Sequence, residues 1–160
     1  MKGQGFHQSV NDFLSKWDDN LMRGMYGGHR DKVELIKKRA IGFLDVARYS
    51  LDKGNYDIAA FSAEQVAQLY LKATLLELMD DFPRTHSIIF FLKELARVKK
   101  REVNDFLQKN KRGLHNLEDA YLTSRYFYKI FDRDDGEFLI SLAEEVINFC
   151  EKLGRSVGKG

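Results

Sequence analysis

Residues 55–78 read NYDIAAFSAEQVAQLYLKATLLEL, and apolar side chains occur in this stretch at almost every angle around a helix. The large ones are Ile58, Phe61, Val66, Leu69, Leu71, Leu75 and Leu76. A surface helix carries a single apolar stripe, whereas a helix that is apolar on all sides is buried among other elements. Asn55 is a residue type favoured at helix N-caps, and Asp57 complements the helix dipole in the first turn. The stretch therefore predicts a helix, continuing to about Met79, at the centre of a bundle.

Single-stripe helices are predicted on both sides of this central helix, because apolar residues recur there every three or four positions. The stripe before it comprises Val33, Ile36, Ala40, Phe43, Ala47 and Leu51, and Gly54 is expected to cap its C-terminal end. After the break at DDFPRT (80–85), Thr85 is expected to open a third helix, whose stripe is Ile88, Phe91, Leu92 and Leu95.

Two further helices follow the same rule. The fourth begins near Arg101 and carries Val103, Leu107, Asn110, Leu114, Leu117, Tyr121, Ser124 and Tyr128. The fifth follows DRDDGE (132–137) and carries Phe138, Leu142, Val146, Phe149 and Leu153. No sustained alternation of apolar and polar residues indicates a strand. We predict an all-α fold, an antiparallel helical bundle of about five core helices.

An additional amphipathic helix is predicted ahead of the bundle, with the stripe Val10, Phe13, Leu14, Trp17 and Leu21. The predicted organisation is an N-terminal amphipathic extension (1–30), the helical bundle (31–155) and a flexible tail (156–160). The extension adds apolar surface that five helices do not need, and the polar residues Asn110 and Ser124 interrupt the stripe of the fourth helix. Two-fold dimers commonly bury such surplus surface. We therefore expect a homodimer, with the extension at or near its interface.

Composition limits the classes of function. A chain of 160 residues with one cysteine, Cys150, forms no internal disulfide, and it shows neither a signal peptide nor a membrane-spanning run. We expect a cytoplasmic protein with no membrane partner. The segment Lys93–Arg112 holds eight basic and three acidic residues. This basic patch is interpreted either as a solvated corner between two helices or as a surface that faces phosphates, which leaves RNA as a possible partner.

The usual catalytic and metal-binding signatures are missing from the sequence. The four histidines are scattered without zinc spacing, so neither a metal nor a cofactor is expected. Cys150 beside Phe149 is interpreted as a buried, inert thiol. DRDDGE has the wrong glycine position for a calcium loop, and acidic residues at a helix start explain it sufficiently.

Polar residues on apolar stripes remain as the candidates for function. Gln65 and Lys72 share a face of the central helix, and Tyr121 and Arg125 share a face of the fourth. Two cations on neighbouring helices could bind an anion such as a nucleotide phosphate or a carboxylate. Alternatively, Lys72 reaches water and Arg125 pairs with an internal acid such as Asp45, which would fix the register of the helices.

Four stretches of the chain resemble the HEPN domain family of prokaryotes over about residues 31–153. They are NYDIAAFSAEQVAQLYLKATLLEL (55–78), FPRTHSIIFFLKEL (82–95), LEDAYLTSRYF (117–127) and AEEVINFCEKL (143–153). The most specific elements are the pair Tyr56 and Asp57, the run Gln65, Ala67, Leu71, Lys72 and Ala73, the pair Thr85 and His86, and the group Tyr121, Ser124, Arg125 and Tyr126.

The resemblance implies a helical bundle that commonly dimerises and works with a minimal nucleotidyltransferase in two-component, often toxin–antitoxin, systems. Many members are ribonucleases that use an arginine and a histidine separated by four to six intervening residues. This chain departs from that motif, since the matching positions after Arg125 hold Ile130, Phe131 and Asp132. The histidine after Arg112, His115, is too close.

Three hypotheses follow for function. The leading one is a non-catalytic protein that binds a nucleotide or a partner and acts with a nucleotidyltransferase. Its expected ligand-binding residues are Gln65, Lys72, His86, Tyr121, Arg125 and Tyr126. The second is a metal-independent ribonuclease, in which His86 or His115 reaches Arg125 from elsewhere in the fold. The third is a purely structural dimerisation module.

Overall fold

The computed structural model describes residues 28–126 and 129–157, and its regular structure within these ranges is entirely α-helical. The helices are α1 (His29–Asp52), α2 (Tyr56–Met79), α3 (Ile88–Leu95), α4 (Lys100–Tyr126) and α5 (Arg133–Val157). The predicted all-α bundle of five core helices is confirmed. The additional helix expected within residues 1–30, Tyr128 and the last three residues of the tail lie outside the described ranges.

The central helix of the bundle is α2, as the sequence predicts. It packs against each of the other four helices, and its side chains are buried on several faces, including Val66, Leu71 and Leu75. Small residues let the neighbouring helix approach closely. On α2 they are Ala59, Ala60, Ala63, Ala67 and Ala73, and on α1 they are Ala40 and Ala47, all without solvent exposure. The contact between α1 and α2 is the most extensive in the fold.

The directions of the helices follow from their paired residues. A short connection makes α1 and α2 antiparallel, and α4 also runs antiparallel to α5. The ring of Phe106 stacks on Phe149 with centroids 4.2 Å apart, while Gly113 lies against Phe138 near the other end of the pair. In contrast, α5 runs parallel to α2, because Gly136 lies beside Ala59 near both N-terminal ends.

The helix ends show which turn residues set the boundaries. Gly54 adopts a left-handed φ of 79° after α1, as expected, and the N–H of Asn55 returns to the carbonyl of Ser50 at 2.8 Å. Together these form a Schellman ending. Asn55 occupies the N-cap position of α2, but its side chain makes no capping hydrogen bond.

The start of α3 corrects one prediction. Ser87, rather than Thr85, is the N-cap, because the Ser87 hydroxyl accepts a hydrogen bond from the N–H of Phe90. Thr85 instead accepts from the N–H of Ser87 at 3.2 Å and orders the turn ahead of the helix. The predicted stripe of α3 is confirmed, since Ile88, Phe91, Leu92 and Leu95 are all buried.

The acidic start of α5 is a reciprocal capping box. The Asp132 carboxylate accepts from the N–H of Asp135 at 2.8 Å, and the Asp135 carboxylate accepts from the N–H of Asp132 at 3.0 Å. The helix begins at Arg133, inside the DRDDGE segment and earlier than its apolar stripe suggests. Among residues 28–126 and 129–157, no three His, Cys, Asp or Glu side chains are grouped so that they could hold a metal ion.

A network of polar side chains joins α1, α2 and α5 on the side of α2 away from α4. The Lys37 ammonium lies 3.2 Å from the Glu77 carboxylate and 3.0 Å from the Glu151 carboxylate. The Tyr70 hydroxyl also donates to Glu151. The hydroxyl and the ammonium lower the pKa of Glu151. This network fixes the register of three helices.

Two further properties of the described helices bear on the sequence predictions. None of them contains a stretch that is long and apolar enough to cross a membrane. Cys150 is 2% exposed, and burial raises the pKa of its thiol to about 12. The interpretation of this cysteine as a buried thiol is confirmed, and at neutral pH it is protonated and unreactive.

Gly54, in the connection between α1 and α2, and Gly42, within α1, provide a test of the fold. Gly54→Ala places a side chain in the left-handed region and is expected to lower the free energy of unfolding by about 1 kcal/mol. Gly42 lies exposed within α1, and an added Cβ there meets nothing within 4 Å. Gly42→Ala is therefore expected to raise the free energy of unfolding by up to about 1 kcal/mol. Urea denaturation measures both, and the same sign for the two variants would contradict this account.

Candidate functional site

The last turns of α4 present a cation among aromatic rings. The Arg125 guanidinium carbon lies 4.2 Å from the centroid of Tyr121, 4.7 Å from that of Tyr126 and 4.9 Å from that of Phe61 on α2. Its Nε–H donates to the carbonyl of Tyr121 at 2.8 Å. Arg125 is nevertheless exposed. Contacts between guanidinium and ring faces hold such a group in place without neutralising its charge.

His86, on the connection between α2 and α3, completes this group. Its ring stacks on Tyr121 with centroids 4.6 Å apart and an interplanar angle of 18°. We name Phe61, His86, Tyr121, Arg125 and Tyr126 the Arg125 cluster. Desolvation and then the charges of Lys72 and Arg125 lower the pKa of His86. Its imidazole is therefore neutral at neutral pH, and it serves as an acceptor or a base.

Lys72 is the second cation of the region. Its ammonium lies over the rings of Phe82 and Phe91, 5.8 and 5.7 Å from their centroids. The side chain is partly buried. The positive charges of Lys72 and Arg125 both lower the pKa of His86 and of Glu64. Lys72 therefore acts on the same titratable groups as Arg125. Two cations, an imidazole and exposed rings suit a ligand that is both anionic and planar.

Glu64 is the functional candidate that the sequence reasoning missed. It is 0% exposed on α2. Its carboxylate accepts hydrogen bonds from the side-chain amides of Gln65, at 2.8 Å, and Gln68. Burial raises the pKa of Glu64 to about 7, while the two amides and the charges of Lys72 and Arg125 lower it. A carboxyl group with such a pKa changes its charge near neutral pH.

The structure does not pair Arg125 with Asp45, which was the alternative reading of this arginine. Asp45 is exposed on α1, and no described carboxylate lies within ion-pair distance of Arg125. The charge of Arg125 instead acts on Glu64, whose pKa it lowers. The polar residues of α4 are satisfied locally, because Asn110 and Ser124 each bond a carbonyl one turn earlier in their own helix. The homodimer stays a prediction.

All six expected ligand residues lie in one region of the fold. Arg125, Tyr121, Tyr126 and His86 form the cluster itself, and Lys72 acts on it through its charge. Gln65 has a different part, since its amide is engaged with Glu64. The sequence contained a signal for Glu64, namely an acidic residue inside a helix that is apolar on all sides. A buried carboxylate there requires partners, and the amide of Gln68 lies one turn away.

The basic patch lies apart from the cluster. Most of its cations are exposed, and Arg97 pairs with Glu94 at 3.1 Å. Lys109 and Arg112 line a groove of about 190 Å³ between α4 and α5, together with Phe138 and Glu145. Arg112 precedes Arg125 by 13 positions, or about 20 Å along an α-helix. His115 is also exposed, about 15 Å from Arg125 by the same measure.

The bundle and the cluster together define an all-α domain with a cationic, aromatic surface at the end of α4. Comparison with known families gives a match to the HEPN domain over residues 33–153. The chain belongs to the HEPN domain family, which comprises nucleotide-binding and ribonuclease-type domains. The resemblance inferred from the sequence is confirmed. A search of curated proteins found no significant match.

The pH dependence of stability tests the state of Glu64. Its pKa in the folded protein is about 7, above the ordinary 4.5, so the folded state binds this proton more tightly than the unfolded chain. The protonated Glu64 carboxyl group contributes up to about 3 kcal/mol to the free energy of unfolding. This contribution is fully present below about pH 4.5, falls as pH rises and is lost above about pH 7.

Glu64→Gln keeps the acceptor oxygen and removes the titration. Urea denaturation at about pH 5 and about pH 8 measures the free energy of unfolding of the variant minus that of wild type. This difference is expected to be roughly 2 kcal/mol larger at about pH 8 than at about pH 5. Glu145→Gln, at an exposed carboxylate of α5, is the control and should show no such gain. A constant difference between Glu64→Gln and wild type at the two pH values contradicts the assignment.

Proposed function

We propose that this protein binds a nucleotide, or another phosphate-bearing ligand, at the Arg125 cluster without cleaving it. The observation that carries the proposal is the exposed guanidinium of Arg125, held between aromatic rings and forming no ion pair with a described carboxylate. With its Nε–H bonded to the carbonyl of Tyr121, an arginine kept in place by rings retains the donors of its two terminal nitrogens for an incoming phosphate.

Each residue of the region has a part in this proposal. Arg125 and Lys72 supply the positive charge for the phosphate. Tyr126, which is 65% exposed, offers a ring face on which a base can stack. The stacked pair of His86 and Tyr121 orients the ligand, and neutral His86 accepts a hydrogen bond. Gln65 acts indirectly, because it holds Glu64.

We further propose that the protein is the binding or regulatory half of a two-component system, of the toxin–antitoxin kind, with a minimal nucleotidyltransferase as its partner. Family membership supports this proposal. A nucleotide held at the Arg125 cluster would be the substrate or product of such an enzyme. The proposed homodimer and an RNA partner for the basic patch, Lys93–Arg112, belong to the same proposal.

Isothermal titration with ATP, GTP and AMP tests nucleotide binding. Wild type is expected to bind at least one of them below millimolar concentration. Arg125→Ala should weaken binding at least about tenfold, because a charge-assisted contact is worth about 1.5–3 kcal/mol. Arg125→Lys keeps the charge but loses the planar fork and should give an intermediate value. Arg112→Ala, at an exposed arginine of the same helix, is the control and should change affinity by less than about twofold.

The structural alternative predicts a different result. If Arg125 only stabilises the bundle, Arg125→Ala lowers the melting temperature and no nucleotide binds to wild type at millimolar concentration, alone or with a nucleotidyltransferase. That outcome would leave a dimerisation module as the function of the chain and would exclude nucleotide binding at this cluster.

A second candidate function, a metal-independent ribonuclease, is favoured by one observation. The ring of Tyr121 contacts both His86 and Arg125, so a histidine does lie beside the arginine although none follows it within one turn. Neutral His86 could take a proton from a ribose 2′-hydroxyl while Arg125 stabilises the negative charge that develops on the phosphate.

Incubation with single-stranded RNA in the presence of a chelator decides between binding and cleavage. The ribonuclease hypothesis expects cleavage that His86→Ala and Arg125→Ala each reduce by at least about 100-fold, while His115→Ala is unaffected. The rate should be constant above the lowered pKa of His86 and fall as pH drops through it, because protonation removes the base. Intact RNA after incubation with wild type excludes this function.

A further inference from the structure

The groove between α4 and α5 is a second candidate binding site, separate from the Arg125 cluster. Its volume is about 190 Å³. One wall carries Lys109, Asn110 and Arg112 of α4, and the other carries Phe138 and Glu145 of α5. Pockets that enclose a whole small molecule commonly have about 300–1,000 Å³. This groove is therefore suited to a single planar group, with the rest of the ligand outside it.

The floor of the groove is apolar, and it exists because residue 113 is a glycine. A Cβ on Gly113 would lie 3.0 Å from both the Phe138 ring and a methyl group of Leu142, so a larger residue would displace these side chains. The tip of the Phe138 ring thus rests on the backbone of α4, while the residue stays 52% exposed. A half-exposed aromatic ring is a surface on which a nucleobase can stack.

The rim of the groove carries charges of both signs. Lys109 and Arg112 lie one turn apart on α4, and both are exposed, as is Glu145 on α5. Although all three line the same groove, none of them forms an ion pair with a residue in the described ranges. Asp105, one turn before Lys109, is a further exposed acid beside this rim. Affinity for a ligand would therefore come from local contacts rather than from a large net charge.

We propose that this groove binds one guanine of a single-stranded RNA. The base lies on the floor against Phe138, its hydrogen-bonding edge faces Glu145, and phosphates of the strand contact Lys109 and Arg112. The inference rests on the RNA partner proposed for the basic patch. It deepens that proposal, because it places one base of the strand and names it.

The preference for guanine follows from the chemistry of Glu145. A carboxylate only accepts hydrogen bonds, and the Watson–Crick edge of guanine offers two adjacent donors, one for each carboxylate oxygen. Adenine and cytosine offer one donor beside an acceptor nitrogen, and uracil offers one donor between two carbonyl oxygens. In these bases an acceptor would face a carboxylate oxygen. Asn110 adds to the preference, since its amide donates to the carbonyl of Phe106 at 3.1 Å and its side-chain oxygen remains as an acceptor.

A strand of RNA fits this rim better than an acidic protein segment or a free nucleotide. An acidic segment would meet Glu145 and Asp105 as like charges, whereas a guanine presents donors to Glu145. Arg101 is exposed on the same face of α4 as Arg112, about 17 Å away along the helix, and can contact a neighbouring phosphate. A free nucleotide lacks these neighbours, and one base with one phosphate makes too few contacts for binding below millimolar concentration.

Fluorescence anisotropy with short oligouridines tests the base preference. The strands carry one central guanosine, inosine, adenosine or cytidine. Wild type is expected to bind the guanosine strand at least about tenfold more tightly than the adenosine or cytidine strand. Inosine lacks the amino group of guanosine and should give an intermediate affinity. In Glu145→Gln one acceptor oxygen becomes a donor, and the preference should fall below about threefold. Asp45→Asn removes the same charge from an exposed position on α1 and should keep the full preference.

The phosphate and stacking contacts have different expected signatures. Lys109→Ala should weaken the guanosine and adenosine strands alike and reduce the slope of log affinity against log salt by about one. Phe138→Leu keeps an apolar floor but removes the ring, and it should weaken all four strands at least about fivefold. Because Lys109 and Glu145 are exposed, their variants keep the fold and carry the test even if Phe138→Leu is unstable.

The outcomes separate this inference from the proposed function. Equal affinity of wild type for the four strands, or a guanosine preference that survives in Glu145→Gln, overturns the guanine site while the RNA partner stands. A preference that is also lost in Asp45→Asn is an effect of overall charge and overturns the site as well. If no strand binds wild type, the RNA partner fails and this inference fails with it. Nucleotide binding at the Arg125 cluster is measured separately with ATP and AMP and is unaffected by these results.

Discussion

The burial of α2 by the other four helices is the constraint on which the rest of this structure depends. A helix that is buried on most of its faces offers few of its polar groups an exit to water, so every buried polar side chain on it needs a partner. Among the described residues, no buried side-chain nitrogen or oxygen lacks a hydrogen-bond partner. The arrangement of the neighbouring helices therefore follows from the polar residues of α2 as well as from its apolar ones.

These polar residues lie on two different sides of α2. Tyr70 and Glu77 face α1 and α5, where Lys37 and Glu151 complete a network of ion pairs. On another side, the Glu64 carboxylate is bonded to two amides of α2 itself and feels the charge of Arg125 from α4, while the Lys72 ammonium lies over a ring of α3. The first side is satisfied by charges of opposite sign within the protein. The second side combines the Lys72 ammonium, the exposed guanidinium of Arg125 and an acid with a raised pKa. This difference indicates a structural role for the first side and supports the binding role that we propose for the second.

The sequence predicted the fold well because the apolar period alone determines which residues face inward. The central position of α2 followed from its composition, and Gly54 marked the end of α1. Ser87 and Thr85 could not be told apart, since both are good capping residues two positions apart and only the backbone angles select one of them. The start of α5 was placed late, because its first turn is polar and carries no part of the stripe.

The candidate site was predicted less completely, for a different physical reason. Arg125, Tyr121 and Lys72 stood out as polar or charged residues on helical faces. The position of His86 beside Tyr121 depends on how the connection between α2 and α3 folds back, and no local pattern encodes that contact. Glu64 was overlooked because acidic residues are rarely buried, and because Gln65 was interpreted as a ligand residue rather than as a partner of this carboxylate.

The position of Cys150 makes the opening of the bundle accessible to kinetic measurement. It is the one cysteine of the chain, and it lies on α5 beside Thr74 of α2. A thiol reagent can reach Cys150 only after α2 and α5 have separated. The rate at which the thiol is labelled therefore reports the population of that open state. Ligands that hold α3 and α4 against α2 without contacting α5 can thus be distinguished from ligands that stabilise the whole bundle, because only the latter slow the labelling.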